Sequence, residues 1–178
     1  MKNFCISLLL IIIISLTVAV GIKSNDNTNV EYLRIHIRAN SNSEIDQSVK
    51  YEIKDELISY LTPYIANCNS KQDAEKLLNE NKAELKSLID SYLKARGFNY
   101  TANVVVRNEK FPTRVYGEFT LEEGFYDAVI VELGEAKGDN WWCVVYPPLC
   151  FTGNGCEVKY KSKILEIIKE FKEKTFAQ

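Results

Sequence analysis

The chain has 178 residues, of which 46% are hydrophobic and 26% are charged. This length and composition suit one globular domain with a real core and exclude a disordered chain. The formal net charge of -2 and a pI near 5.6 lack the basic excess of nucleic-acid-binding domains, so no nucleic-acid partner is expected.

An uncharged stretch opens the chain. After Met1-Lys2-Asn3, nineteen residues, 4–22, contain no charged side chain, which is long enough to cross a bilayer. The same pattern describes a cleavable signal peptide, and the sequence leaves both alternatives open. Either one predicts export of the rest of the chain. We therefore interpret residues 1–22 as a signal peptide or membrane anchor, 23–30 as a polar tether, and 31–178 as a single exported domain.

The exported part begins with strict alternation. Apolar residues at positions 33, 35 and 37 alternate with Arg34, His36 and Arg38, which predicts a half-buried strand. The run 40–43, Asn-Ser-Asn-Ser, then breaks the strand and starts a helix, whose apolar face is expected at 45, 49, 53, 57 and 61. A second helix is predicted from Ser70 to Arg96, with Gly97 as its stop.

Strand-like segments come next. They are Tyr100–Arg107, Thr113–Thr120, Phe125–Leu133 and Trp141–Tyr146, with a turn at 121–124 joining two of them into a hairpin. A last helix is predicted over Lys161–Lys174, with its apolar face at 164, 165, 168 and 171. This order predicts an α+β fold with a largely antiparallel sheet, two long helices after the first strand, and a C-terminal helix.

The most unusual segment is 134–151, which holds both tryptophans, two cysteines and a Pro-Pro pair. In an alternating strand Trp141 and Trp142 point to opposite faces, so one can enter the core while the other faces outward. An outward tryptophan beside rigid prolines is typical of protein interfaces. Coverage of the second ring by a helix of the same domain is the alternative.

Export allows thiols to persist as disulfides. Because Cys5 lies in the apolar segment, an even set remains, Cys68, Cys143, Cys150 and Cys156, with three possible pairings. The pair that flanks Pro-Pro, 143 with 150, is favoured over 150 with 156, and four unpaired thiols are the other alternative. Paired CxxC spacings are absent from the sequence, so neither a metal nor a cofactor is expected.

An enzyme would have to use His36, the only histidine, with a thiolate of Cys143 or Cys150 as nucleophile. The two neighbouring arginines favour a neutral imidazole, and exported cysteines tend to be bridged. We therefore expect no catalytic residues and interpret His36 as a surface or hydrogen-bonding residue. An exported cysteine-dependent hydrolase acting at the septal wall is the alternative function.

Three segments resemble the stage II sporulation protein R family of endospore-forming bacteria. They are 33–41 with Asp46-Gln47, 111–117 with Leu121 and 124–126, and 138–143 with 147–151. The cysteines at 143 and 150 match those of the family, whereas those at 68 and 156 look like additions.

The resemblance implies a signalling protein that is not itself an enzyme. Members are exported from the forespore into the space between the forespore and mother-cell membranes, where they trigger a membrane-embedded aspartic protease that processes the mother-cell sigma-factor precursor. A structural septal protein, held by an uncleaved anchor, is a further alternative. We expect the protease to be bound by Trp141 or Trp142, Tyr146 and Pro148, with His36, Asn40 and Ser41 as a secondary patch.

Overall fold

The structure, a computed structural model, describes residues 31–152 and 158–176. The interpretation of residues 1–30 and any pairing of Cys156 lie outside the described residues. None of the helices in the two described ranges has the length and apolar character that a membrane span requires. The elements in chain order are β1 (Leu33–Arg38), α1 (Glu44–Ile65), α2 (Lys71–Glu80), α3 (Lys82–Ala95), β2 (Ala102–Phe111), β3 (Arg114–Tyr116), β4 (Phe119–Leu121), β5 (Gly124–Leu133), β6 (Asn140–Tyr146), a 3-10 turn (Leu149–Phe151) and α4 (Val158–Phe176).

The main sheet has four strands in the order β2-β5-β1-β6, and β3 pairs with β4 in a separate hairpin. Pairing is antiparallel except between β1 and β5, which run parallel. The predicted α+β fold with a largely antiparallel sheet is confirmed. The parallel pair is possible because the long segment between β1 and β5 provides the crossover that parallel neighbours need.

Strand β1 lies in the middle of this sheet and is buried on both faces, not half-buried as the alternation predicts. Leu33 and Ile37 are fully buried in the core that the helices form over one face. On the opposite face Arg34 and His36 are also buried, with 0% and 3% exposed. The polar face is covered because aromatic side chains of β2, β3, β5 and β6 pack over it.

Helix α1 starts where the capping signal predicts, since the Ser43 hydroxyl accepts a hydrogen bond from the Asp46 N–H at 3.2 Å. Four of the five predicted core positions, 49, 53, 57 and 61, are buried, but Ile45 is 69% exposed. The first two turns of the helix pack through Asp46 and Lys50 against polar loops instead, and the apolar face begins one turn later than predicted.

The second predicted helix is divided into α2 and α3 at Asn81, whose φ of -100° and ψ of 11° are not helical. The Asn81 side chain donates to the Leu77 carbonyl at 2.8 Å, a local bond that competes with helix continuation. Among the described side chains of α4, Ile164 and Ile167 are buried, whereas Leu165 is 48% exposed. The apolar face of α4 therefore follows the helical period and excludes Leu165.

The predicted hairpin between Thr113–Thr120 and Phe125–Leu133 is wrong. The first segment turns at Gly117, whose φ is +62°, so β3 and β4 pair with each other while β5 pairs with β1 and β2. Glycine at the first position of a two-residue turn is a favoured hairpin signal, because only glycine adopts this φ without strain. Strand β2 is also longer than predicted and reaches Phe111.

Candidate functional site

The candidate site is the sheet face opposite the helices, here called the polar face. It carries charged and aromatic side chains from four adjacent strands, and its members are Arg34, His36, Arg38, Arg107, Glu109, Glu132 and Trp142. The alternation of β1 predicted that 34, 36 and 38 share one face, and this is confirmed. What the sequence did not show is which side chains of other strands they meet.

His36 lies at the centre of the polar face. Its Nδ1 is 2.8 Å from Oε1 of Glu109, and its ring stacks on Trp142 with centroids 5.2 Å apart. Burial lowers the pKa of His36, although the hydrogen bond with Glu109 opposes this effect. A neutral imidazole is therefore favoured, with its Nδ1–H donating to the carboxylate. Nε2 is buried and has no hydrogen-bond partner among the described residues.

Two arginines and two glutamates extend from His36 across three strands. Arg38 donates to Glu109 at 2.7 Å and to Glu132 at 3.0 Å, and Arg107 donates to the same two carboxylates at 2.7 and 3.1 Å. Burial alone would raise the pKa values of Glu109 and Glu132, but these hydrogen bonds and charges outweigh it and lower them. Both carboxylates are thus ionised, and the shared bonds tie β1, β2 and β5 together.

Arg34 is enclosed by aromatic rings. Its guanidinium carbon lies 4.2 Å from the Phe111 ring centre and 4.8 Å from that of Tyr126, a cation–π arrangement. Its Nη2 donates to the Tyr116 hydroxyl at 2.9 Å, and that hydroxyl donates to the Trp142 carbonyl at 3.2 Å. The buried cation therefore holds the β3–β4 hairpin against β6.

The tryptophans lie on opposite faces, as the alternation predicted. Trp141 packs against the helical core, while Trp142 packs on the polar face. Trp142 is half-buried, and the guanidinium of Arg114 stands 4.3 Å from its ring centre. The alternative, that a helix covers the outward tryptophan, does not apply to Trp142, because Arg114 of the β3–β4 hairpin lies over its ring.

The other residues expected to bind a partner are enclosed. Tyr146 is 8% exposed and packs edge-on against Phe171 of α4, and Pro148 is buried. Contact with a partner through these two would require α4 or the Pro-Pro turn to move. A role of Tyr146 and Pro148 in binding stays a prediction. In the structure both residues pack at the end of β6 and stabilise it.

Asn40 and Ser41 form part of a polar junction around Asp46. The Asp46 carboxylate accepts from Asn40 Nδ2 at 2.9 Å, from Ser41 Oγ at 2.5 Å and from the Tyr100 hydroxyl at 2.6 Å. Burial would raise the pKa of Asp46, but these bonds outweigh it and lower the pKa. The hydrogen-bonding groups of Asn40 and Ser41 are directed inward, so a binding role for these two residues also stays a prediction.

The sulfur atoms of Cys143 and Cys150 are in contact, and their Cα atoms are 6.3 Å apart, a separation that a disulfide spans. Cys68 is buried and forms no disulfide among the described residues, and burial raises the pKa of its thiol to about 11. Cys143 lies on the helix side of the sheet and His36 on the polar face. The proposed nucleophile and base of a hydrolase are thus not brought together.

Lys50, Glu109 and Arg114 are structurally important residues that the sequence patterns did not single out. Lys50 is 1% exposed, donates to Gln47 at 2.6 Å and to the Asp139 carbonyl at 3.0 Å, and has its pKa lowered by burial. The sequence offered one signal for the burial of Lys50, namely its position next to Val49 on the inward side of the helix. In residues 31–152 and 158–176, no group of three or more His, Cys, Asp and Glu side chains is arranged to hold a metal ion.

These features define an α+β protein with one helix-covered sheet face and one polar face that joins a buried histidine to a partly buried tryptophan. The family model for stage II sporulation protein R matches residues 29–155, and the chain belongs to this family. Stage II sporulation protein R of Bacillus subtilis (strain 168) is 33% identical over 129 residues, which cover 71% of this chain and 58% of that relative. No solved structure matches the chain.

Proposed function

We propose that this stage II sporulation protein is an exported signal that activates a membrane-embedded aspartic protease, which then processes the mother-cell sigma-factor precursor. In this proposal the protein leaves the forespore and acts in the space between the forespore and mother-cell membranes, without catalysing a reaction itself. Family membership supports the sporulation role. The protease and the export pathway come from the resemblance of segments 33–41, 111–117 and 138–151 to the family.

The observation that carries a binding role is the fixed position of Trp142. Its ring is stacked on His36, contacts Arg114 and is still partly exposed on an outer strand of the sheet. Tryptophan and arginine are the side chains that most often dominate interface energies. Because the neighbours already hold the ring, little side-chain entropy is lost when a partner packs against it.

Activation requires that the domain bind the active arrangement of the protease more tightly than the inactive one. A shift from 1% to 99% active protease demands a difference of about 5.5 kcal/mol in binding free energy. One buried tryptophan contact of about 2–4 kcal/mol supplies a large part of this, and the Arg114 contact adds to it. The proposal therefore makes Trp142 the main anchor.

We also propose that Cys143 and Cys150 form a disulfide in the exported protein. The two residues are seven positions apart and enclose the Pro147-Pro148 turn. Closing a loop of this length in the unfolded chain stabilises the folded state by about 2–3 kcal/mol in the chain-entropy model. The bridge would hold the end of β6, the strand that carries Trp142.

The test is cleavage of the sigma-factor precursor in a non-sporulating host that produces the cognate protease, with and without this chain. We expect cleavage only when the chain is present, and loss of cleavage with Trp142→Ala. Tyr64→Ala is the matched control, since Tyr64 is a 43% exposed aromatic residue on α1, away from the polar face. Equal cleavage without the chain would refute the activator role, whereas normal cleavage with exported, folded Trp142→Ala would refute only the site.

A further inference from the structure

The two outer strands of the sheet differ in what occupies their free backbone groups. On β6, the Trp142 carbonyl accepts from the Tyr116 hydroxyl, and the Val144 N–H donates to the Cys150 sulfur at 3.5 Å. These contacts close that edge from within the molecule. On β2, the described residues form a ladder with β5 alone.

The hydrogen-bonding pattern shows which groups of β2 face away from β5. The Thr101 carbonyl accepts from the Gly134 N–H at 3.0 Å, which directs residue 101 towards β5. Ala102, the next residue, points the other way, and its N–H donates to the Asp90 carboxylate at 2.7 Å. Because successive residues of an antiparallel strand alternate in direction, the backbone groups of Val104, Val106, Asn108 and Lys110 point outward.

Asp90 therefore closes the beginning of this edge, and Val104 beside it is buried, with 8% exposed. The outward groups from 106 to 110 form a row about 13 Å long at 3.3 Å per residue. Such a row is a template for another strand. The chain continues from β2 with Pro112, which lacks an N–H and ends the row.

We propose that two copies of this protein pair through β2 in antiparallel orientation, with the two-fold axis at Asn108. The proposal is independent of the protease, because the β2 edge lies at the opposite side of the sheet from β6 and Trp142. The result is a continuous sheet of eight strands, in which the polar faces of both copies lie on the same side.

The charges along β2 select this register. Arg107 and Glu109 are two positions apart and share the polar face. Pairing centred on Asn108 places each Arg107 directly opposite Glu109 of the second copy, at a position where side chains are close. Pairing centred on Arg107 or on Glu109 would instead place like charges opposite each other. Pairing centred on Val106 would engage Ala102, whose N–H already bonds to Asp90.

The apolar residues agree with this arrangement. Phe125 is 71% exposed and is paired with Lys110 in the β2–β5 ladder, so it lies on the helix side one strand from the open edge. In the proposed register, Val106 of the second copy is opposite Lys110. The aliphatic part of the Lys110 side chain then lies between the exposed ring of Phe125 and Val106 of the second copy.

The experiment is cysteine crosslinking of the full chain in a host that exports it. In the proposed pair the two Asn108 Cα atoms are about 5.5 Å apart, within the range that a disulfide bridges. We expect Asn108→Cys to give a covalent dimer on mild oxidation, measured on a non-reducing gel. The parent chain gives the baseline for the native cysteines. The matched control is Lys110→Cys, because residues 110 of the two copies would be about 13 Å apart along the strands, too far to bridge.

A second variant tests the backbone itself. Val106→Pro removes one outward N–H and keeps the ladder to β5, so it should abolish crosslinking through Asn108→Cys while the protein stays folded, as shown by resistance to trypsin. Absence of crosslinking in folded Asn108→Cys refutes the pairing. Equal crosslinking through 110, or crosslinking that survives Val106→Pro, refutes the register or the use of the edge. A covalent adduct with another protein would show that the edge binds a different strand.

Discussion

Gly138 is the position where a single methyl group should most disturb the fold. It lies in the loop 134–139, which packs against the turn after β1. Its N–H donates to the Ala39 carbonyl at 2.9 Å, and the neighbouring Lys137 N–H donates to the Asn40 carbonyl at 3.1 Å. In Gly138→Ala, the new Cβ would overlap the backbone carbonyl group of Ser41 and lie 2.9 Å from Cβ of Ala39. Neither neighbour can rotate away, so the loop must move.

The cost follows from the bonds that this movement breaks. The two backbone bonds of the loop contribute about 0.5–1.5 kcal/mol each. The Asp139 carbonyl, which follows Gly138, also accepts from the buried ammonium of Lys50 at 3.0 Å. A hydrogen bond to a charged group contributes about 1.5–3 kcal/mol. We therefore expect Gly138→Ala to lower the free energy of unfolding by about 2.5–6 kcal/mol, measured by urea titration with tryptophan fluorescence.

Gly117→Ala is the control for this prediction. Gly117 has a φ of +62° but no atom within 4 Å of the position of a Cβ, so alanine there brings only the backbone penalty of about 1–2 kcal/mol. If Gly138→Ala costs no more than Gly117→Ala, the close approach between the loop and the turn does not determine stability and the reasoning fails.

Three further predictions concern the buried ionisable groups and the disulfide. The pKa of Asp46 is lowered from 3.8 in the folded state. The stabilisation by the ionised carboxylate is therefore complete above pH 3.8 and is lost as pH falls through the folded pKa. Asp46→Asn should be less stable than the parent at about pH 7 and should lose less stability on acidification. The pKa of Lys50 is lowered from 10.5 in the folded state. The free energy of unfolding should therefore rise as pH increases through the folded pKa towards 10.5. Lys50→Met should lack this rise in urea titrations at alkaline pH. Cys143→Ser should lower the free energy of unfolding by about 2–3 kcal/mol under oxidising conditions. Added reductant should lower the stability of the parent protein but not that of the variant. A parent protein whose stability does not respond to reductant would contradict the disulfide.

Local signals in the sequence predicted much of the fold. The alternation at 33–38 placed the side chains of β1 on the correct faces, and the run 40–43 and Ser70 marked the starts of α1 and α2. Such signals depend on residues a few positions apart, which is why they can be read without a structure. The same local reasoning missed the break at Asn81, where a side-chain bond to the preceding turn ends one helix.

The composition of the candidate site was beyond local reasoning. His36 meets Glu109, which is 73 positions away, and Arg34 meets Tyr116, which is 82 positions away. The registers between β1, β2, β5 and β6 decide these contacts, and a strand pattern by itself carries no register with a distant strand. For the same reason Tyr146 and Pro148 could be placed beside the tryptophans in sequence, while their burial became apparent only in the fold.

The sequence by itself determined the α+β class, the opposite directions of Trp141 and Trp142, and the resemblance to the sporulation family, because these depend on local periodicity and on contiguous motifs. Only the tertiary structure decided that β1 is a central strand, that its histidine is buried beside Trp142, and that the edge of β2 differs from that of β6. These properties arise from pairing between distant segments, where burial changes the ionisation of a side chain and leaves some backbone groups free to bind.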